Sequence, residues 1–159
     1  MHLQKITPFL WFDHQAEEAM NFYVSIFENS EILSITRYGE AGPGPKGSVK
    51  IVTAELDGQK FFALNGGPHF KFTPAISFFV SCKTQREVDD FWEKLSEGGE
   101  EVQCGWLRDK FGLSWQIVPT ILMEMLNDED DKKSARVMKA MLQMTKIEIK
   151  GLEQAYEQE

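Results

Sequence analysis

Apolar positions along the chain follow two rhythms in turn. The run Ile6-Thr7-Pro8-Phe9-Leu10-Trp11-Phe12 is short, apolar and rich in aromatics, which predicts a buried strand. Asp13 and His14 break it. From Gln15 to Phe27 the residues Ala16, Ala19, Met20, Tyr23, Ile26 and Phe27 return at spacings of three and four, with Glu17, Glu18 and Asn21 between them, so this segment is an amphipathic helix. Strands are expected over Glu31–Tyr38 and Val49–Leu56. The Gly39–Gly47 segment between them holds too much Gly and Pro to carry a ladder and predicts a mobile loop. Asp57-Gly58 is a two-residue hairpin signal that returns the chain as a fourth strand, Lys60–Leu64, ending at Asn65-Gly66-Gly67-Pro68. The order is βαβββ.

After Pro74 the same order begins again. Ala75–Val80 reads as a strand, and Thr84 with Glu87 three residues on forms a capping box that launches a helix to about Ser96, stopped by Gly98-Gly99. Glu101–Cys104, Trp106–Asp109 and Ser114–Val118 supply three short strands. A shift of 69 residues lays Phe9, Leu10, Glu18, Phe22 and Tyr23 on Phe78, Phe79, Glu87, Phe91 and Trp92. Two such units, each too small to close a core, imply an α+β fold of duplicated βαβββ modules whose curved sheets face one another. The expected organisation is one domain over 1–119, with modules at about 1–67 and 68–119, and a helical extension over 120–159. In that extension Thr120–Leu126 is a short helix and Asn127–Lys133 a charged connector with capping acids. Ala135–Met144 carries a Met-rich core stripe, and Ile147–Tyr156 is a last helix.

Composition narrows the function classes. With 17 Lys+Arg against 25 Asp+Glu the formal charge is −8, and the basic residues are scattered beside acids, so no phosphate-binding footprint for nucleic acid is expected. No apolar run approaches the roughly 20 residues of a membrane span, and the N-terminus lacks the apolar region of a signal peptide, so a cytoplasmic location is expected. Cys82 and Cys104 form no disulfide framework and are expected to be reduced.

The duplicated pattern resembles the vicinal oxygen chelate superfamily of glyoxalases, bleomycin-resistance proteins and extradiol (dihydroxybiphenyl) dioxygenases. Several strings narrow the likeness: Ile6-Thr7-Pro8-Phe9-Leu10-Trp11-Phe12, Glu18-Ala19-Met20-Asn21-Phe22-Tyr23, Leu64-Asn65-Gly66-Gly67-Pro68, Ala75-Ile76-Ser77-Phe78 and the stretch from Cys104 to Val118. These resemble the PhnB-like group, which carries the label 3-demethylubiquinone-9 3-methyltransferase domain. The resemblance implies the fold and, for metal-using members, an ion held by His and Glu from the first and last strands of each module. Carried over residue by residue, those positions fall at Pro8, at about Ala63 with Asn65 beyond it, at Ala75 or Ser77, and at Gln116. None is an imidazole or carboxylate, so no metal and no other cofactor is expected. His2, His14 and His69 read as terminal, capping and loop residues. Gly39, Gly42, Gly44 and Gly47 lie between antiparallel strands, unlike the glycine turn by which doubly wound methyltransferases hold their donor.

With alternate residues turned inward, the expected ligand-lining set is Pro8, Leu10, Phe12, Ala63, Asn65, Ala75, Ser77, Phe79, Ser114 and Gln116, with Trp106 or Trp115 closing one side. Such a cavity suits a small organic ligand oriented by a few hydrogen bonds. No catalytic residue is nominated: Cys104 has no base placed beside it, and Asp109 reads as a turn former. The function expected is metal-independent small-molecule binding. An enzyme of the superfamily, including the methyltransferase of the label, is the alternative, and the resemblance with the amphipathic tail implies a homodimer.

Overall fold

A computed structural model describes residues 4–158, which divide after Phe72 into two compact units. In the first, β1 (Phe9–Phe12) leads through α1 (Ala16–Ile26) to β2 (Glu31–Arg37), β3 (Val49–Leu56) and β4 (Gln59–Asn65). These strands form one sheet in the order β1-β4-β3-β2, with β1 parallel to β4 and the other pairs antiparallel. Leu56 pairs with Gln59 across Asp57-Gly58, both at positive φ (48° and 76°), the mirror-image turn that matches strand twist. The predicted first strand shortens to Phe9–Phe12. Pro8 has no amide hydrogen to extend it, although its carbonyl still accepts from Phe62 N–H at 2.9 Å.

The second unit repeats the order with β5 (Ser77–Cys82), α2 (Gln85–Ser96), β6 (Glu100–Glu101), β7 (Trp106–Arg108) and β8 (Ser114–Pro119). Its sheet runs β5-β8-β7-β6, and the β5–β8 pair is parallel as in the first unit. Thr84 caps the helix as expected, its Oγ1 accepting from Glu87 N–H at 3.2 Å, while Glu87 Oε2 reaches one residue further back than in a regular capping box and accepts from Lys83 N–H at 2.6 Å. The strand expected over Glu101–Cys104 stops at Glu101, because the Cys104 and Gly105 amides donate instead to Met144 and Thr145 carbonyls, both at 2.8 Å.

That contact ties the C-terminal segment of this unit to its sheet. Here α3 (Thr120–Leu126), α4 (Asp131–Met141) and α5 (Ile149–Glu157) close a core of Val118, Leu122, Met125, Val137, Ile147 and Leu152. Helix α4 starts four residues earlier than its apolar stripe predicts, because Asp130 caps the amides of Lys132 and Lys133. Gln85 ties the segment to α2 by donating to Ile147 O at 3.0 Å and accepting from Ile149 N–H at 2.7 Å. Lys146 meets Asp89 at 2.7 Å, and its hydrogen bond holds the Asp89 carboxyl below its ordinary value. Arg136 on α4 donates to the carbonyls of Ala155 and Tyr156, each at 2.9 Å, in the last turn of α5.

Candidate functional site

Each sheet has one face under its helix and one face away from it. In the first unit, Leu10, Phe12, Val52, Ala54, Leu56, Phe61 and Ala63 share the buried face. The apolar stripe of α1, with Ala16, Ala19, Met20, Tyr23 and Ile26 buried, packs on this side. Leu10, Phe12 and Ala63, expected to line a ligand cavity, are therefore core residues beneath α1. Phe9, Trp11, Phe62, Leu64, Ile51 and Thr53 occupy the opposite face. Counting the strand one residue out of phase exchanges its two faces, and a run apolar on both sides offers no alternation to fix the phase. Pro8 lies one residue ahead of β1, half-buried.

Asn65 has a structural task. Its Oδ1 accepts from Ala16 N–H at 2.8 Å, capping α1 from a neighbouring strand, and its Nδ2 donates to Val49 O at 3.2 Å. Its carbonyl accepts from Tyr38 O–H at 2.5 Å. Tyr38 is the reason the Gly39–Gly47 loop is anchored where a mobile one was expected. The ring is 6% exposed, and a Cβ on Gly42 or Gly44 would lie 2.5 or 2.4 Å from it, so only glycine lets the backbone close on both sides of the ring. The backbone pair Tyr38 N–H to Ser48 O and Gly47 N–H to Tyr38 O shuts the loop.

Between this loop, the start of α1 and the end of β4 lies a cleft of about 700 Å³, lined among others by Asp13, His14, Glu17, Tyr38 and His69. Sequence reading missed it, since its walls come from segments up to 56 residues apart and no local motif marks them. The side chains of His14 and Asp13 are 78% and 49% exposed, while Glu17 is half-buried. The Tyr38 hydroxyl is already committed to Asn65.

In the second unit Phe78, Val80, Cys82, Trp115, Ile117 and Leu107 face α2, and burial beside Glu87 pushes the Cys82 thiol up to about 12. Trp115 thus belongs to the core, where its indole N–H donates to Asp109 Oδ2 at 2.9 Å. Asp109 is buried and its Oδ1 also accepts from the amides of Phe111 and Leu113, so it builds the turn into β8. Ser77, Phe79, Trp106, Ser114 and Gln116 share the face away from α2. There Gln116 pairs with Phe79 on β5 and with Trp106 on β7, so the three form one row across adjacent strands. Gln116 Nε2 donates to Ser77 Oγ at 2.9 Å. Phe79 is 48% exposed, Gln116, Trp106 and Ser77 are half-buried and Ser114 is buried. Ala75 stands exposed ahead of β5.

These residues do not fit a divalent ion. Pro8, Ala63 and Ala75 offer no donor atom, Asn65 is spent on α1, and Ser77 with Gln116 supplies a neutral hydroxyl and amide. Among the described residues no group of three or more His, Cys, Asp or Glu is placed to hold a metal. S-adenosylmethionine bound in the doubly wound manner fits no better: β1 enters α1 through Asp13-His14-Gln15, without the glycine turn that receives a nucleotide. No helix among the described residues is long and apolar enough to cross a membrane.

A βαβββ module with a parallel outer pair, present twice and followed by helices, defines a glyoxalase/bleomycin resistance/dioxygenase-type fold. Within that superfamily the chain belongs to the PhnB-like family described as 3-demethylubiquinone-9 3-methyltransferase, whose model matches residues 4–118. It is 45% identical to the PhnB protein of Bacillus cereus, which carries the same methyltransferase label, over 74% of this chain and 100% of that one, with a TM-score of 0.68. Protein PA1353 of Pseudomonas aeruginosa is 18% identical over 74% and 98% of the two chains, with a TM-score of 0.62. The fosfomycin resistance protein FosX of Listeria monocytogenes is 15% identical over 80% and 100%, with a TM-score of 0.57. These two share the fold. Curated proteins give no match.

Proposed function

We propose that this chain binds a small organic molecule on the face of its second sheet that α2 leaves open, and that binding needs no metal ion. One observation carries this reading: Gln116 stands in a row between two aromatic side chains, Phe79 and Trp106, and is hydrogen-bonded to Ser77, two residues before Phe79 on the same face of β5. A few oriented polar groups set among apolar ones are what a ligand site requires. The 700 Å³ cleft of the first unit has volume, but its Asp13 and His14 side chains stand largely in solvent and its phenol is committed.

The same reading takes the chain as a cytoplasmic homodimer. Both cysteines are unpaired, and Met138 and Leu142 at the end of α4 are 41% and 53% exposed, which leaves apolar area for a second copy. Native mass spectrometry with elemental analysis, on protein purified without chelators, tests the whole reading. A metal-free dimer carrying an organic mass that Gln116→Ala releases supports it. A stoichiometric divalent metal, or turnover of S-adenosylmethionine, overturns it.

A further inference from the structure

Resting on that reading, the row on the second sheet also states what kind of molecule it takes. Neighbouring strands lie about 4.8 Å apart, so Phe79 and Trp106 each stand about one strand to the side of Gln116. A flat ring seated over Gln116 then has an aromatic partner on either side within the roughly 4.5–7 Å at which ring pairs attract. Among the described residues neither Phe79 nor Trp106 has a ring partner of its own.

The polar pair of Gln116 with Ser77, which lies in the neighbouring row, is equally selective. Gln116 N–H donates to Ser77 Oγ, which leaves the Ser77 hydroxyl hydrogen and Gln116 Oε1 without partners. One ligand atom that accepts from Ser77 and donates to Gln116 closes a ring of three hydrogen bonds. With the amide turned over, all three bonds reverse and the same kind of atom closes the ring. A carbonyl only accepts and an ammonium only donates, so neither completes it in either sense. A hydroxyl does both, and a closed cycle strengthens each of its members.

We infer that the site takes a planar aromatic ring carrying a hydroxyl group, its ring between Phe79 and Trp106 and its hydroxyl on Ser77 and Gln116. The test uses the full-length ¹⁵N-labelled protein and three probes: 2-naphthol, 2-methoxynaphthalene and decahydro-2-naphthol. The Gln116 side-chain amide and the Trp106 indole signal report on binding. The expected result is that 2-naphthol moves both signals and binds about tenfold more tightly than either other probe, the difference one satisfied hydrogen bond or one stacked ring makes. Ser77→Ala removes the preference for naphthol over its methyl ether and keeps the indole shift. Equal binding of naphthol and its ether at these signals overturns the hydroxyl requirement, and equal binding of decahydronaphthol overturns the planar one. Both results leave the small-molecule site standing. No movement of either signal with any probe up to its solubility limit overturns the site itself.

Discussion

The side-chain oxygen of Asn65, at the end of β4, accepts the first amide hydrogen of α1, that of Ala16, at 2.8 Å. Gln15, the residue in the ordinary capping position, makes no side-chain bond there, so the helix borrows its cap from the strand that pairs with β1. Asn65→Ala removes that cap and the bond to Val49 O together. Loss of a helix cap costs about 1 kcal/mol, and the second bond adds about as much. Urea unfolding of the variant is expected to show this loss with an unchanged slope. A midpoint equal to wild type would show that α1 is capped by solvent as well as by Asn65.

The anchoring of the Gly39–Gly47 loop on Tyr38 gives a second expectation. Gly44→Ala places a methyl group about where the ring is, 2.4 Å from its nearest atom, so either the ring or the backbone must give way. An overpacked site of this kind costs roughly 1–3 kcal/mol. Because the strain falls on the loop, cleavage there by a broad-specificity protease is expected to speed up several-fold. Tyr38→Phe, which loses only the bond to Asn65 O, is expected to do less. Equal cleavage of all three proteins would mean that the loop opens independently of the ring.

Asp109 accepts from three donors: two amides on one oxygen and the Trp115 indole N–H on the other. Asp109→Asn turns one acceptor into a donor facing a donor in a buried turn. The expected cost is about 2–3 kcal/mol, the penalty of a buried polar group left unmatched. Trp115 fluorescence and thermal unfolding read it together, and a variant as stable as wild type with an unmoved spectrum would contradict the geometry.

Alkali should weaken the protein through Cys82. Its thiol is raised in the folded state, first by burial and then by the Glu87 carboxylate, from an ordinary value near 9 to about 12. The folded form therefore keeps a proton that the unfolded form releases, and stability falls as pH rises from about 9 to about 12. Comparison of wild type with Cys82→Ala in urea at pH 8 and pH 10.5 isolates this contribution. The wild type should lose ground to the variant at the higher pH, and a constant difference would remove the prediction.

Much of the fold was legible because several local signals agreed. Thr84 with Glu87, Asp57-Gly58 and the stripe from Ala16 to Ile26 each specify one element, and each forms where expected. Along β8, Ser114, Trp115, Gln116 and Ile117 alternate polar and apolar, which fixes the phase of that strand and puts Trp115 on its core side. Phe9, Leu10, Trp11 and Phe12 do not alternate, so the side on which Leu10 and Phe12 fall depends on α1, a contact that strand periodicity alone does not encode. The glycines between β2 and β3 also read correctly as strand-breaking. Gly42 and Gly44, however, lie against the ring of Tyr38 while Gly39 and Gly47 meet nothing, and composition cannot distinguish a glycine kept for freedom from one kept for closeness.

Arg136 bears on how the molecule answers a mechanical load. A helix ordinarily frays from its last turn, where the carbonyls lack partners. In α5 the carbonyls of Ala155 and Tyr156 are held by a guanidinium rooted on α4. Tension applied beyond the end of α5, by a fused reporter or a surface tether, passes through Arg136 into α4. Yield then begins with the α4–α5 pair together, at a higher force than peeling a single free turn would need.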